Sequence, residues 1–296
     1  MRAERFPVSG FHYGGQAVLE GVMIRGRSHF AVAVRDPKGA IVVHREPLAG
    51  HIYKGFVART PFVRGLTALW DTLVLGTRTL MYSADVALSD EPEAHFAGPV
   101  AWGTLAVSLL IGVGLFFLLP VFLVRLVDPF LGSPFLSNVF EGLTRLALFV
   151  GYLAAMSMMP DVRRVFAYHG AEHKTINAYE AGARLEPGEV EAHSTGHARC
   201  GTGFMLLVLV IFIALASLLG RPALWVRLGS RIVLIPIVAG VAYEVMRFSA
   251  NHRRHPMVAA LLAPGLWLQR LTTREPDRPM LEVAIAALRS VLDAEA

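Results

Sequence analysis

The sequence predicts a mainly α, polytopic membrane protein with about four transmembrane helices, an N-terminal β-hairpin region and amphipathic cytoplasmic helices. Three observations carry that prediction. Apolar residues make up 54% of the 296 and charged residues only 17%, against roughly 25% charged in ordinary globular proteins. Uncharged runs long enough to cross a bilayer recur in the second and third quarters of the chain. Lys and Arg crowd into alternate segments between those runs. Mean hydropathy is +0.49. The one cysteine, Cys200, excludes an intramolecular disulfide framework. The opening MRAERFPVSGFHYGG has no apolar core segment, so no signal peptide is expected.

Residues 1–59 read as a cytoplasmic glycine-rich and β-hairpin region. GFHYGGQAVLEGVMIRGR, residues 10–27, predicts loops with a short strand near Ala17–Ile24. Gly14–Gln16 match the GGQ tripeptide that release factors use on peptidyl-tRNA. Three residues are a weak signal, and a turn needing permissive glycine is the expectation. Phe30–Arg35 and Ala40–Glu46 alternate around Asp36-Pro37-Lys38-Gly39, which fits a type I turn closing a hairpin. A lone hairpin is not stable, so it must pack on something, the preceding strand being the nearest.

Residues 60–95 read as an amphipathic helix and an acidic linker. Thr60-Pro61 predicts the helix start, with Thr as cap. Arg64, Asp71, Arg78 and Asp85 recur every seven residues as one polar stripe on an otherwise apolar helix. Such a helix lies in the membrane interface or docks on the protein's own core, and the sequence leaves both open. Ser89-Asp90-Glu91-Pro92-Glu93 then breaks the chain.

The first two spans are expected in 96–160 and the last two in 201–250. Phe96–Val124 carries no charge, Val139–Pro160 carries only Glu141 and Arg145 toward its start, Gly201–Gly220 carries none, and the fourth runs from Ile232 to about Ala250. Glu141 and Arg145, four apart, are expected at the headgroups. His255–Gln269 is short and holds Pro264-Gly265, so it reads as an interfacial or re-entrant piece. Within 251–296 it is followed by an amphipathic helix through Met280, Val283, Ala284, Ala287, Leu288, Val291 and Leu292. Segments 1–95, 161–200 and 251–296 hold 22 of the 28 Lys and Arg. That bias puts both termini and the middle segment in the cytoplasm. It also explains the pI of about 9.6 without nucleic acid.

The middle segment, 161–200, is a His-rich helix and loop, and the chemistry concentrates there. YHGAEHKTINAYE, Tyr168–Glu180, places His169, Glu172, His173, Asn177 and Glu180 three or four apart, side by side on one helical face. HGAEH is an instance of HxxEH, the inverted zinc-peptidase pattern, in which both histidines ligate and the glutamate activates water. His169 and His173 are therefore candidate ligands of zinc or another divalent metal, and Glu172 the candidate base. Glu244, 71 residues beyond His173, is a candidate third ligand. The block His193-Ser-Thr-Gly-His197-Ala-Arg-Cys200 offers His197 and Cys200 for the same role. The plainer alternative is that these histidines only hydrogen-bond within a polar loop. Arg199 beside Cys200 raises the separate idea of a reactive thiol. Glu244 and Arg247, one turn apart in an apolar span, pair with each other or line a path.

GGQAVLEGVMIRG, YHGAEHKTINAYE, HARCGTGF and PGLWLQRLTTREP, in that order, resemble the YqhQ-like bacterial membrane family over nearly the whole chain. The resemblance implies a bacterial inner membrane location and a predicted metal-dependent enzyme, but no reaction. It carries the family's motif histidines onto His169 and His173, with His197 and Cys200 in the second block. Two functional expectations follow. One is a zinc-dependent hydrolase at the cytoplasmic membrane face, acting on a peptide or lipid-linked substrate. The other is a non-enzymatic chaperone, assembly factor or scaffold holding a membrane-protein client, with a transporter as the weaker alternative. The lipid bilayer is the one partner that composition demands, and the sequence is silent on oligomeric state.

Overall fold

The computed structural model describes residues 11–48, 60–89, 99–220, 222–252 and 255–296. The N-terminal ten residues and the acidic residues 90–93 lie outside that description. The molecule is mainly helical with one antiparallel sheet, ordered β1 (Gly14–Val18), β2 (Gly21–Arg25), β3 (His29–Arg35) and β4 (Ile41–Pro47). The single strand expected near Ala17–Ile24 is instead a hairpin. Val18 pairs with Gly21, and Glu20 turns the chain with φ 51°. The expected hairpin at 36–39 is present. Gly39 sits at φ 87°, and the Asp36 carboxylate accepts the Ala40 N–H at 2.7 Å.

The central strands β2 and β3 are buried on both faces, which explains why β3 reads as an almost unbroken apolar run. Val22, Ile24, Ala31 and Ala33 point to a core shared with α5 (Pro160–Glu180) and α10 (Arg278–Glu295). Val18, Met23, Phe30, Val32 and Val34 point the other way, onto Leu75 of α1 (Val63–Ala87). The alternation follows from the period of two along each strand. Asp277 caps α10 by accepting the Met280 N–H at 2.9 Å, and the predicted apolar face of that helix is buried. N-terminal sheet, middle helix and C-terminal helix therefore share one core.

Helix α1 does not start at a Thr60 cap. It begins at Val63, after Phe62 turns through φ 70° and donates its N–H to Glu244 at 3.2 Å. Its seven-residue charge stripe faces protein. Arg64 Nε meets Glu244 at 2.8 Å, Asp71 meets Arg25 at 3.2 Å and Arg78 meets Glu46 at 2.7 Å. Trp70, Leu73, Val74 and Leu80 are left exposed on the far side.

Among the described residues three helices are long and apolar enough to cross a membrane: 29 residues over Trp102–Phe130, 23 over Pro134–Met156 and 26 over Leu224–Ser249. They belong respectively to α2 (Pro99–Val113) with a π-turn (Gly114–Leu118) and α3 (Leu119–Val127), to α4 (Pro134–Met156), and to α8 (Leu224–Asn251). Their outward apolar side chains, such as Leu110, Ile111, Ile232 and Val233, are exposed as lipid-facing surfaces require. The expected span Gly201–Gly220 corrects to α7 (Gly201–Ser217), with a separate one-turn helix α6 (Pro187–Val190) before it. At 17 residues α7 rises about 26 Å, short of a hydrocarbon core of roughly 30 Å. It packs beside α4 and α8.

Two further points concern the spans. Glu141 and Arg145 pair at 3.2 Å as their spacing suggests, and at 1% and 4% exposure they are enclosed together with Arg227 and Arg231. The interfacial piece at 255–269 is one unbroken helix, α9 (Pro256–Thr272), which runs through Pro264.

Candidate metal centre

Helix α5 begins cleanly, with Met159 extended and Pro160 in the first turn, where a missing N–H costs nothing. From Ala167 to Tyr179 it is almost wholly buried, although Glu172, His173, Lys174 and Thr175 are polar. Buried polar groups need partners, and this face finds most of its own in the loop that follows. Lys174 Nζ donates to the Glu191 carbonyl at 2.7 Å. Asn177 Nδ2 donates to the carbonyls of Ser194 and Gly196 at 2.8 and 3.0 Å. His173 Nδ1 donates to the Thr195 carbonyl at 2.6 Å. These bonds lay the loop along the helix and deliver Cys200 to the histidines.

The second histidine partner comes from the other end of the chain. His169 Nδ1 donates to the carbonyl of Thr272, the last residue of α9, at 2.8 Å. The glycine inside HGAEH makes that approach possible. A Cβ on Gly170 would stand 2.0 Å from the Arg274 carbonyl oxygen, so no larger residue fits under this crossing. With both Nδ1 atoms donating to carbonyls, each ring is left with an unprotonated Nε2 as its acceptor. The rings lie 4.3 Å apart between centroids, and Cys200 Sγ is 3.3 Å from His169 Nε2. One ligand atom from each of His169, His173 and Cys200 falls within 4.8 Å of the other two.

His173 and Cys200 are buried, and His169 is half-buried, so the group is approached from the His169 side. Cys200 also caps α7, its Sγ accepting the Thr202 N–H at 3.4 Å. His197 is close, its ring 5.4 Å from that of His173, but it does not join the three. Its backbone is held at both ends by Gln269, whose amide oxygen and nitrogen each make a 2.9 Å bond.

Glu172 is 4% exposed and lies against β1. Gly15 allows that contact, since a Cβ there would stand 3.0 Å from the Glu172 carboxyl carbon. Burial pushes its pKa up to about 7, against the opposing pull of His169 and the Gly15 N–H. Its Oε2 has no hydrogen-bond partner. The GGQ glycines therefore lie in a strand packed on this carboxylate, not in the expected turn.

Of the residues singled out by pattern, His169, His173 and Cys200 come together, Glu172 and His197 stand beside them, and His193 stands outside the group. Glu244 does not join. It is bound by Arg64 and the Phe62 N–H on the neighbouring helix. Arg199 pairs with Glu180 rather than with the thiol. Sequence pattern missed Gln269 and the carbonyls of Thr195 and Thr272. Gln269 did leave a trace, as the polar side chain in the apolar run LLAPGLWLQ.

The donor set suits zinc. Two imidazoles and a thiolate are the usual ligand types, and the carbonyl bonds behind both rings are the usual outer support. An apolar groove of about 240 Å³ is lined by Leu206, Val210, Met246, Leu262 and Leu266, and it also touches Ala198, two residues before Cys200, and Gln269.

A family described as "Protein of unknown function (DUF1385)" matches residues 60–294. The chain is 37% identical over 297 residues to "Uncharacterized protein YqhQ" of Bacillus subtilis (strain 168), covering 96% of this chain and 93% of that protein. No solved structure matches.

Proposed function

We propose, for a chain that belongs to the DUF1385 family, that it is a zinc-dependent hydrolase of the cytoplasmic membrane, with its site at the cytoplasmic face. The observation that carries this reading is the convergence of His169, His173 and Cys200 within 4.8 Å, with a buried, half-partnered Glu172 on the same helix, packed on Gly15 and within the electrostatic reach of His169. Three protein donors are what a catalytic zinc site uses, the remaining position being kept for water or substrate. Bound there, zinc would act as a Lewis acid and lower the pKa of water. The chain's own part is to hold and exclude. His169 and His173 are fixed as Nε2 donors by the carbonyls behind them, Glu172 takes and returns a proton, and the surrounding core keeps bulk water out.

The groove beside Ala198 and Gln269 supports an apolar substrate entering from the bilayer, a membrane-inserted peptide or a lipid-linked group. The sidedness rests on two supports. The sheet, α5 and α10 share one core, and the segments that carry them hold most of the Lys and Arg.

A second reading has one observation of its own. The His197 ring lies close enough to His173 to become a fourth ligand after a rotation. Four protein donors would close the site and make the metal a staple for the loop, as a non-enzymatic chaperone or scaffold would need.

Metal analysis of the purified full chain tests both. About one zinc per chain is expected, lost in His173→Ala and in Cys200→Ser. Zinc retained at full stoichiometry in both variants would remove the site. Loss of zinc in His197→Ala as well would favour the staple.

A further inference from the structure

At the opposite end of the helical bundle from the histidines, a second buried polar cluster has a charge that does not balance. Glu141 accepts from three guanidinium groups: Arg145 at 3.2 Å, Arg227 at 2.9 Å and Arg231 at 3.0 Å. Asp128 supplies the only other acid bonded to them among the described residues, meeting Arg227 at 3.2 Å. Three cations thus face two anions. Arginine does not deprotonate in proteins, so one positive charge remains. The cluster is closed except at Asp128, which is 21% exposed. Glu141, Arg231, Arg145 and Arg227 are 1–4% exposed, inside helices that face lipid. An uncompensated charge at such a place is strongly disfavoured and calls for a counter-ion.

The geometry marks where one would sit. Every other guanidinium nitrogen of Arg145 and Arg231 has an acceptor: Phe116 and Asn138 receive bonds of 2.7 Å, and Glu141 the rest. The Nη1 atoms of Arg145 and Arg231 are buried with none. Both guanidinium groups lie over the same ring, Phe212, at 4.5 and 5.8 Å from its centroid. Phe116, which accepts from Arg145, lies in the π-turn of the first span, a distortion that proteins tend to keep at functional positions.

We propose that this cluster binds one chloride ion between the Nη1 atoms of Arg145 and Arg231. A single charge is missing, which sets the valence, and the enclosure favours a monatomic ion over an oxyanion. The site would lock α4, α7 and α8 together, of which α7 and α8 also line the apolar groove, and it stands independently of any metal at the histidines.

The test uses the full chain in detergent, dialysed into sodium gluconate and titrated with chloride or bromide at constant ionic strength. The apparent Tm is expected to rise saturably with either halide. The unfolding constant should fall about 100-fold when chloride stands at a hundred times its Kd. Arg231→Gln should remove that dependence. Because this variant could fail to fold, equilibrium binding of chloride-36 to the wild type provides the second measurement, with one ion per chain expected. Equal melting in chloride and gluconate, no saturable chloride-36 binding, or an unchanged chloride response in folded Arg231→Gln each overturns the proposal.

Discussion

Gln269 grips the backbone of His197 from both sides, its amide oxygen accepting the His197 N–H and its amide nitrogen donating to the His197 carbonyl, each at 2.9 Å. Seventy-two residues separate the two. Through that double bond, α9 sets the path of the chain three residues before Cys200, and so sets where the thiol meets the imidazoles.

Gln269→Leu should therefore weaken the metal centre without touching a ligand. Outer supports of metal ligands typically contribute 10- to 100-fold in affinity, and a loss of about that size is expected. Competition with a zinc chelator measures it. An unchanged affinity would mean that Lys174, Asn177 and His173 fix the loop alone.

Glu172→Gln keeps the size of the side chain and removes its proton chemistry. Zinc content should stay at the wild-type level, while any hydrolytic turnover falls by about 10²–10⁴. The comparison needs both readings from one preparation. Retained turnover would exclude Glu172 as the base.

Glu244→Ala should leave zinc stoichiometry unchanged, because this carboxylate is committed to Arg64 and to the Phe62 N–H. Stability should drop instead, as Arg64 loses its partner and the start of α1 loses its anchor. Metal analysis and a melting curve on the same sample separate the two effects. Loss of zinc in a variant that melts normally would restore Glu244 as a ligand.

A pH dependence is expected at the C-terminal helix. Burial pushes the Glu295 carboxyl up, but N–H bonds from Ser28 and His29 and hydroxyl bonds from Tyr13 and Ser28 outweigh it and hold the group below its ordinary value. A carboxyl whose folded pKa is depressed stabilises the fold above its unfolded pKa, about 4.3, and loses that contribution as pH falls through the folded value. Melting curves from pH 6 down to pH 3 should fall more steeply for wild type than for Glu295→Gln, the two converging at the acid end. Parallel curves would show that the carboxylate contributes nothing.

Much of this architecture is legible in the sequence, for a local reason. The HxxEH face, the apolar face of α10 and the Asp36–Gly39 turn each depend on residues a few positions apart, and periodicity records such relationships directly. The charge-free runs record the bilayer as solvent in the same way. Pattern failed where an element answers to a distant neighbour. Thr60 has the right chemistry for a cap, yet Glu244 on α8 draws Phe62 into a tight turn and moves the start of α1. Glu141 and Arg145 read as an isolated i,i+4 pair until Arg227 and Arg231 arrive on the same carboxylate from another helix.

The sequence by itself determined that this chain is built around apolar helices and that two imidazoles and an acid share one helical face. Only the tertiary structure decided which further donor reaches them. Glu244 and Cys200 are both plausible ligands by residue type. The carboxylate is taken by an arginine 180 positions away, while the thiol is carried in by a loop bonded to α5. The bonds that make this choice run largely through backbone carbonyls of Glu191, Thr195, Gly196 and Thr272. Every residue carries a carbonyl, so no pattern of side chains can mark the ones that count until the chain has closed on itself.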